Sequence, residues 1–140
     1  MIFHDTVSIV IERNGKYLLI KRANRPQRGY WAVPGGHVDK GETPKQAAVR
    51  ECREEIGCKI KITKKLFTMV HDVGLGHRHR AHVFLAHATG VPKAGTDASA
   101  LNWFSPNQMA RLNKTVYAIT IFNKHLPRNV LEKLANAKSF

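Results

Sequence analysis

The chain has 140 residues, 43% hydrophobic and 24% charged, a size and composition that fit one globular domain able to bury its own core. No apolar run approaches the ~20 residues that cross a bilayer. The N-terminal MIFHDTVSIVIERNG has no basic n-region and no small-residue cleavage site, so neither a membrane span nor a secretory leader is expected, and a cytoplasmic location is. The 23 Lys and Arg against 10 Asp and Glu give a formal charge of +13. That suits a nucleotide, a nucleic acid or an acidic surface as partner, although solubility alone would also account for it.

In chain order, TVSIVIE alternates and is β-branched, which predicts a strand over 6–12. Asn14-Gly15 predicts a hairpin turn and KYLLIKR the returning strand. ANRPQRG is a polar loop, and YWAVPGG a short apolar segment stopped by Pro34, Gly35 and Gly36. The clearest helix follows. Thr43 is its N-cap, Pro44 its first residue and Gln46 completes a Thr-x-x-Gln capping box. It ends near Ile56, with Gly57 as its stop. CKIKITKKLFTMV is β-like, HDVGLGHRHR a loop or a hairpin with a loose turn, and AHVFLAHA a further strand. TGVPKAGTDAS is a loop and ALNWFS a short strand. Ser105-Pro106 opens a short helix to about Leu112, and the tail, about 113–140, is helical in composition but broken at Pro127. This order predicts either an α+β fold or a three-layer α/β/α sandwich around a mixed sheet. Residues 1–140 read as one domain. Cys52 and Cys58 lie six apart, on opposite sides of a helix, and are expected to be buried thiols rather than a redox or metal pair.

The acid is concentrated. Glu51, Glu54 and Glu55 sit at i, i+3 and i+4 and so share one flank of the helix. Two readings fit that cluster. One is a solvated acidic face relieved by Arg50 and Arg53. The other is a site for a hard divalent cation, for which carboxylates and a phosphate supply oxygen ligands. The turn PGGHVDKGE ahead of the helix favours the second, because its glycines allow close backbone approach to a ligand.

The stretch from Gly36 to Cys58 also resembles the Nudix box. Gly36, Glu42, Arg50-Glu51, Glu54-Glu55 and Gly57 stand at its fixed positions without a gap. Cys52 and Cys58 take its two apolar positions, where the family usually has Leu, Ile or Val. YWAVPGG and WFSPNQMARL resemble the family's flanking segments, so the resemblance covers about 5–112. It implies an α/β fold of the Nudix type, an α/β/α sandwich around a mixed β-sheet. It also implies divalent-metal-dependent hydrolysis of a pyrophosphate bond in a small nucleoside diphosphate derivative, with Mg2+ or Mn2+ as cofactor. By resemblance Glu51 and Glu55 are the main metal ligands, Glu54 shares their shell, the Gly36 carbonyl is a further ligand, and Glu42 and Arg50 support them. The general base is either a box glutamate, Glu54 being favoured, or a loop acid such as Asp97.

The resemblance points to a nucleoside triphosphate or a nucleotide sugar such as ADP-ribose. The segment lacks the Gln usual in the dinucleoside-polyphosphate and RNA-end branches, and the proline that marks one ADP-ribose branch is absent beyond the box. An RNA 5′-end pyrophosphohydrolase is a second reading, favoured by charge but without an RNA-binding module to support it. A non-catalytic nucleotide sensor is a third, disfavoured because every box glutamate is present. Arg22 reads as a phosphate ligand or a solvated strand end, and Trp31 as a wall of the nucleotide site or a core residue. His71, His77, His79, His82 and His87 read as a basic rim at the substrate entrance rather than as a zinc site. The end of the tail, LPRNVLEKLANAKSF, reads as a mildly amphipathic helix that either caps the sheet or forms a homodimer contact.

Overall fold

The structure, a computed structural model, describes residues 2–126. Its elements are β1 (Ile2–Arg13), β2 (Lys16–Arg22), β3 (Trp31–Ala32), β4 (Gly35–His37), α1 (Pro44–Ile56), β5 (Lys59–Gly74), β6 (His77–Thr89), β7 (Ala98–Phe104), α2 (Pro106–Met109) and α3 (Val116–His125). They form one sheet in the order β3-β2-β1-β6-β5, with β4 joined to β1 and β7 to β2. β1 and β6 run parallel and the other pairs antiparallel, so the sheet is mixed.

Alternation along β1 divides the core in two. Val7, Ile9 and Ile11 face α1 and pack with Leu18, Ala48, Cys52, Ile56 and Phe84. Val10 faces the other way and packs with Leu19, Val83, Met109, Ile121 and Phe122, which brings in α2 and α3. This is the expected α/β/α sandwich. Both thiols are free and buried on the α1 side.

α1 forms where its caps require. The Thr43 and Gln46 side chains satisfy each other's backbone N–H, Pro44 opens the helix, and Gly57 closes it with φ 65°. Ile56, fully buried, anchors its last turn, and burial of such a side chain is worth about 1.5–3 kcal/mol. Ser105 and Gln108 make a second capping box at α2.

The sheet is splayed beside the site. β1 and β2 pair only next to their turn, Glu12 with Tyr17 and Arg13 with Lys16. Beyond that point β4 takes the place of β2, pairing Ser8, Val7 and Thr6 with Gly35, Gly36 and His37. The Ile9 N–H donates to the Pro34 carbonyl at 2.9 Å and seats this segment in the fork.

Two expectations change. Of the two readings of residues 71–80, the hairpin holds and the loop does not, and the turn is tight rather than loose. β5 and β6 continue to Gly74 and His77, and Leu75 and Gly76 make a tight turn, both with positive φ (54° and 76°). β5 is the outer strand, and its register with β6 shifts between Ile62 and Lys64, Lys65 and Phe67, and Asp72 and Gly74. The start of the tail belongs to the core, since Ala118, Ile121, Phe122 and Leu126 of α3 and its end are buried. The amphipathic segment expected beyond Leu126, with its break at Pro127, lies outside the described residues. Among the described residues no helix is long and apolar enough to cross a membrane.

Candidate active site

The fork places Gly36 directly over α1. A Cβ at Gly36 would overlap the Glu51 carboxylate, and a Cβ at Gly35 would overlap the Val7 carbonyl. Only glycines let the strand pass this close. The Gly35 N–H in turn donates to Glu55 Oε2 at 3.3 Å.

Arg50 organises the acidic flank. Its Nε and Nη2 donate to the two oxygens of Glu42, at 2.8 and 3.0 Å. Nη2 also reaches the His37 carbonyl at 2.9 Å, and Nη1 reaches Glu51 Oε1 at 3.0 Å and Glu54 Oε2 at 3.3 Å. Glu42 accepts the Asp39 N–H at 2.8 Å. One guanidinium thus ties the 37–42 turn to two carboxylates of the helix, with the fork geometry that lysine lacks. Hydrogen bonds from Arg50 hold Glu42 below the usual carboxylate range.

The inner carboxylates are in the opposite condition. Burial, and then the nearby Glu51, push Glu55 well above that range, and burial also raises Glu51. Two half-buried carboxylates side by side favour either a shared proton or a cation between them. Glu54 is more exposed, its side chain 58% accessible.

Glu51, Glu54 and Glu55 line a pocket of about 340 Å³ with Thr96, Asp97 and Ala98. The loop that carries Asp97 is docked rather than loose. Lys93 N–H donates to the Ile56 carbonyl and Gly95 N–H to the Glu55 carbonyl, both at 2.8 Å, and Asp97 O accepts from Ala23 N–H. A Cβ at Gly95 would sit 2.5 Å from the Glu54 carbonyl oxygen, so the loop lies tight on the end of α1.

On the other side of the fork, a cleft of about 980 Å³ opens between the sheet and α3. Gly35, Gly36, His37 and Arg22 line it, together with Thr6, Ser8, His71, His79 and Tyr117. Arg22 Nε donates to the Pro26 carbonyl at 2.8 Å. Arg22 also pairs with Ala98 across β2 and β7, beside Asp97. Trp31 is not among the cleft residues. Its ring packs edge-on against Phe104, centroids 4.8 Å apart, at the second core.

Of the residues singled out from the sequence, the structure brings Gly36, Glu42, Arg50, Glu51, Glu54, Glu55 and Asp97 to one place and leaves Trp31 aside. The histidines divide. His71 and His79 line the cleft, whereas His82 bonds Asp5 and His87 lies against the Glu12 carbonyl. Two histidines not singled out belong with His71 and His79: His37 also lines the cleft, and His4 meets His79 ring to ring. Their separation in sequence hid this, and only strand register reveals it.

The donors suit a hard divalent ion. No three His, Cys, Asp or Glu side chains converge as a ready cage among the described residues. Mg2+ does not require one, because it keeps waters and binds one or two carboxylates plus substrate phosphate.

The comparisons with known proteins agree with this geometry. The family model described as NUDIX domain matches residues 2–123, eleven residues beyond the expected limit of 112. The ADP-ribose pyrophosphatase of Methanocaldococcus jannaschii is 37% identical over 113 residues, covering 78% of this chain and 67% of that protein. The CTP pyrophosphohydrolase of Escherichia coli is 36% identical over 107 residues, 74% and 77% of the two. The crystal structure of a MutT NUDIX hydrolase from Burkholderia pseudomallei superposes with a TM-score of 0.81 at 30% identity, over 90% of this chain and 100% of that one. An anhydride-hydrolase fold with its acidic helix is thus defined. The chain belongs to the Nudix hydrolase family and is MutT-like. Hydrolases of this family act on nucleoside diphosphate derivatives and generally need divalent metal ions.

Proposed function

We propose that this protein hydrolyses a pyrophosphate bond in a small nucleoside diphosphate derivative, a nucleoside triphosphate or a nucleotide sugar such as ADP-ribose. The observation that carries the reading is the pair of half-buried carboxylates, Glu51 and Glu55, which line the acidic pocket and are pressed against Gly35 and Gly36, which line the large cleft. The substrates named for the Methanocaldococcus and Escherichia relatives, ADP-ribose and CTP, support the same class.

Glu51 and Glu55, with Glu54 beside them and the Gly36 carbonyl, would hold Mg2+ or Mn2+. When bound, such an ion neutralises phosphate charge and lowers the pKa of water. Arg50 and Glu42 keep the Glu51 rotamer fixed and the 37–42 turn closed on α1. Glu54, exposed enough to reach a water, takes its proton as general base, and Asp97 across the same pocket is the competing base. Arg22, which lines the cleft and pairs across the strands with Ala98 of the acidic pocket, binds a phosphate oxygen, and the cleft receives the rest of the nucleotide.

A panel of nucleoside triphosphates and nucleotide sugars, assayed with Mg2+ or Mn2+ and with products identified, tests this. EDTA should abolish turnover and either ion should restore it. Undiminished turnover in EDTA would refute the metal site.

A further inference from the structure

The face of the sheet opposite α1 carries a row of histidines that the proposed hydrolysis does not use. His4 of β1 pairs with His79 of β6, and His79 pairs with His71 of β5. Cross-strand partners share a face, so these three rings stand side by side. His77 lies on the same face two residues from His79, and His37 enters from β4 beside Thr6. The rings touch. His4 and His77 stack with centroids 4.9 Å apart and ring nitrogens at 2.7 Å. His79 meets the edges of His71 at 5.3 Å, His4 at 5.9 Å and His37 at 6.3 Å.

No carboxylate faces this row among the described residues. The groups around His79 are His4 from β1, His37 from β4, His71 from β5 and His77 from its own strand. α3 adds Tyr117, which bonds His71 at 2.7 Å, and Lys124, which lies over Phe67 on the same cleft. Alternation turns Asp5 and Asp72 to the far face, where Arg80 and His82 hold Asp5. Asp72 accepts the Gly74 N–H. The His79 ring has no hydrogen-bond partner among the described residues, although it is only partly exposed and lines the cleft.

Packing does not require such an arrangement, since none of the five rings is buried: His37 and His71 are exposed and His4, His77 and His79 partly so. Each proton added to one ring opposes the next, so the row lacks its counter-charge. A phosphate would supply that charge and accept N–H bonds from several rings at once. We propose that His4, His71 and His79 form an anion subsite at this end of the cleft, binding a phosphate or pyrophosphate group that is either carried by the substrate beyond the scissile bond or released as product. The inference rests on the reading of the cleft as the substrate side.

The test is binding to the full-length protein in EDTA, with inorganic pyrophosphate as probe and the imidazole C–H resonances as signal, at about pH 5.5 and about pH 7.5, on either side of the histidine range. The resonances of His4, His71 and His79 should move together. Affinity should fall about tenfold or more between the two pH values, because bound anion and at least one bound proton are linked. H79Q and H71Q should each weaken binding by about tenfold, the loss of one charge-assisted hydrogen bond. H87Q, whose ring lies elsewhere against the Glu12 carbonyl, should not.

Unmoved resonances in the row, a wild-type Kd in H79Q, or equal affinity at both pH values overturns the subsite. So does stoichiometric Zn2+ binding to these rings without pyrophosphate binding. No bond is broken in this measurement, so absence of turnover would discard the hydrolase reading while leaving the subsite standing. A raised KM for nucleotide in H79Q assigns the anion to the substrate. An unchanged KM with lost inhibition by inorganic pyrophosphate assigns it to the product.

Discussion

Glu51 and Glu55 lie on one side of the β1–β4 pair, and His4 and His37 on the other. The change of side takes one residue: Gly36 lies over the carboxylates and His37 opens into the cleft. The two groups differ in how they are held. Arg50, Glu42, Asp39 and the Gly35 N–H fix the acidic side by directed bonds. The histidine side is held by ring contacts and two hydrogen bonds, His4 with His77 and His71 with Tyr117, and His79 has no hydrogen bond among the described residues. A carboxylate bonded from several directions keeps one geometry, which a reacting centre needs. The His79 ring, held by contact alone, keeps its nitrogens open to a proton or a ligand. The contrast sets a directed, bonded geometry against a looser one within one sheet.

The largest expected effect breaks the acidic side. Glu55→Gln should lower turnover by several orders of magnitude, because even residues that merely orient metal ligands are worth 10–100-fold. In EDTA the same variant should melt at a higher temperature than wild type, since it removes a carboxylate raised by burial and by Glu51. Steady-state rates and thermal melts check both; a wild-type rate would remove Glu55 from the site.

The next sharpens the acidic side from within. With Glu54 as base, Glu54→Gln should lose roughly 10²–10⁴-fold in single-turnover rate and Asp97→Asn should keep most of it. The docked 89–97 loop makes Asp97 a stronger competitor than its sequence suggests, because Gly95 presses it onto α1. The reverse ranking of the two variants would make Asp97 the base.

A smaller effect lies further along the α1 face. Arg80, and then His82, hold Asp5 down at about 2. The folded value is below the unfolded one, so the stabilisation is complete above the ordinary aspartate range and is lost as pH falls through about 2. Asp5 is partly exposed, so Asp5→Asn should cost only about 0.5–1 kcal/mol at neutral pH. Urea midpoints of variant and wild type should converge toward the acid end. A gap that persists at low pH would mean that packing, not charge, is responsible.

The smallest effect concerns the hairpin that carries His71, His77 and His79. Leu75 is fully exposed at φ 54°, a left-handed position that a branched side chain tolerates poorly. Leu75→Asn should raise stability by about 0.5–1 kcal/mol, read as a shift in denaturation midpoint, with pyrophosphate binding unchanged.

The sequence made α1 legible because its signals are local: Thr43, Pro44, Gln46 and Gly57 each act within a turn of the helix. Gly36 to Glu55 were legible through one contiguous motif. The 71–80 hairpin was legible only as an alternative to a loop, because His, Asp and Arg alternate there on two wet faces and Leu75 occupies a place where Asn is the usual signal. The histidine row was hidden for a different reason. His4, His37 and His79 meet only through strand pairing, and pairing partners are set by the whole sheet rather than by neighbours in sequence. Trp31 was ambiguous because an aromatic ring beside a cleft and one beneath it have the same local sequence.

The register shifts in β5 bear on how this protein meets copies of itself. A bare outer strand is a template for fibril growth, because its free N–H and C=O groups repeat at an even spacing that another extended chain can match. Among the described residues nothing pairs with the outer edge of β5. Its rhythm is broken at Ile62–Lys64, Lys65–Phe67 and Asp72–Gly74, and Lys59, Lys61, Lys64 and Lys65 stand exposed along it. An incoming strand would find its hydrogen bonds out of step and a line of ammonium groups to desolvate. The same irregular register sets the outer edge of β5, the longest strand among the described residues, against edge-to-edge pairing.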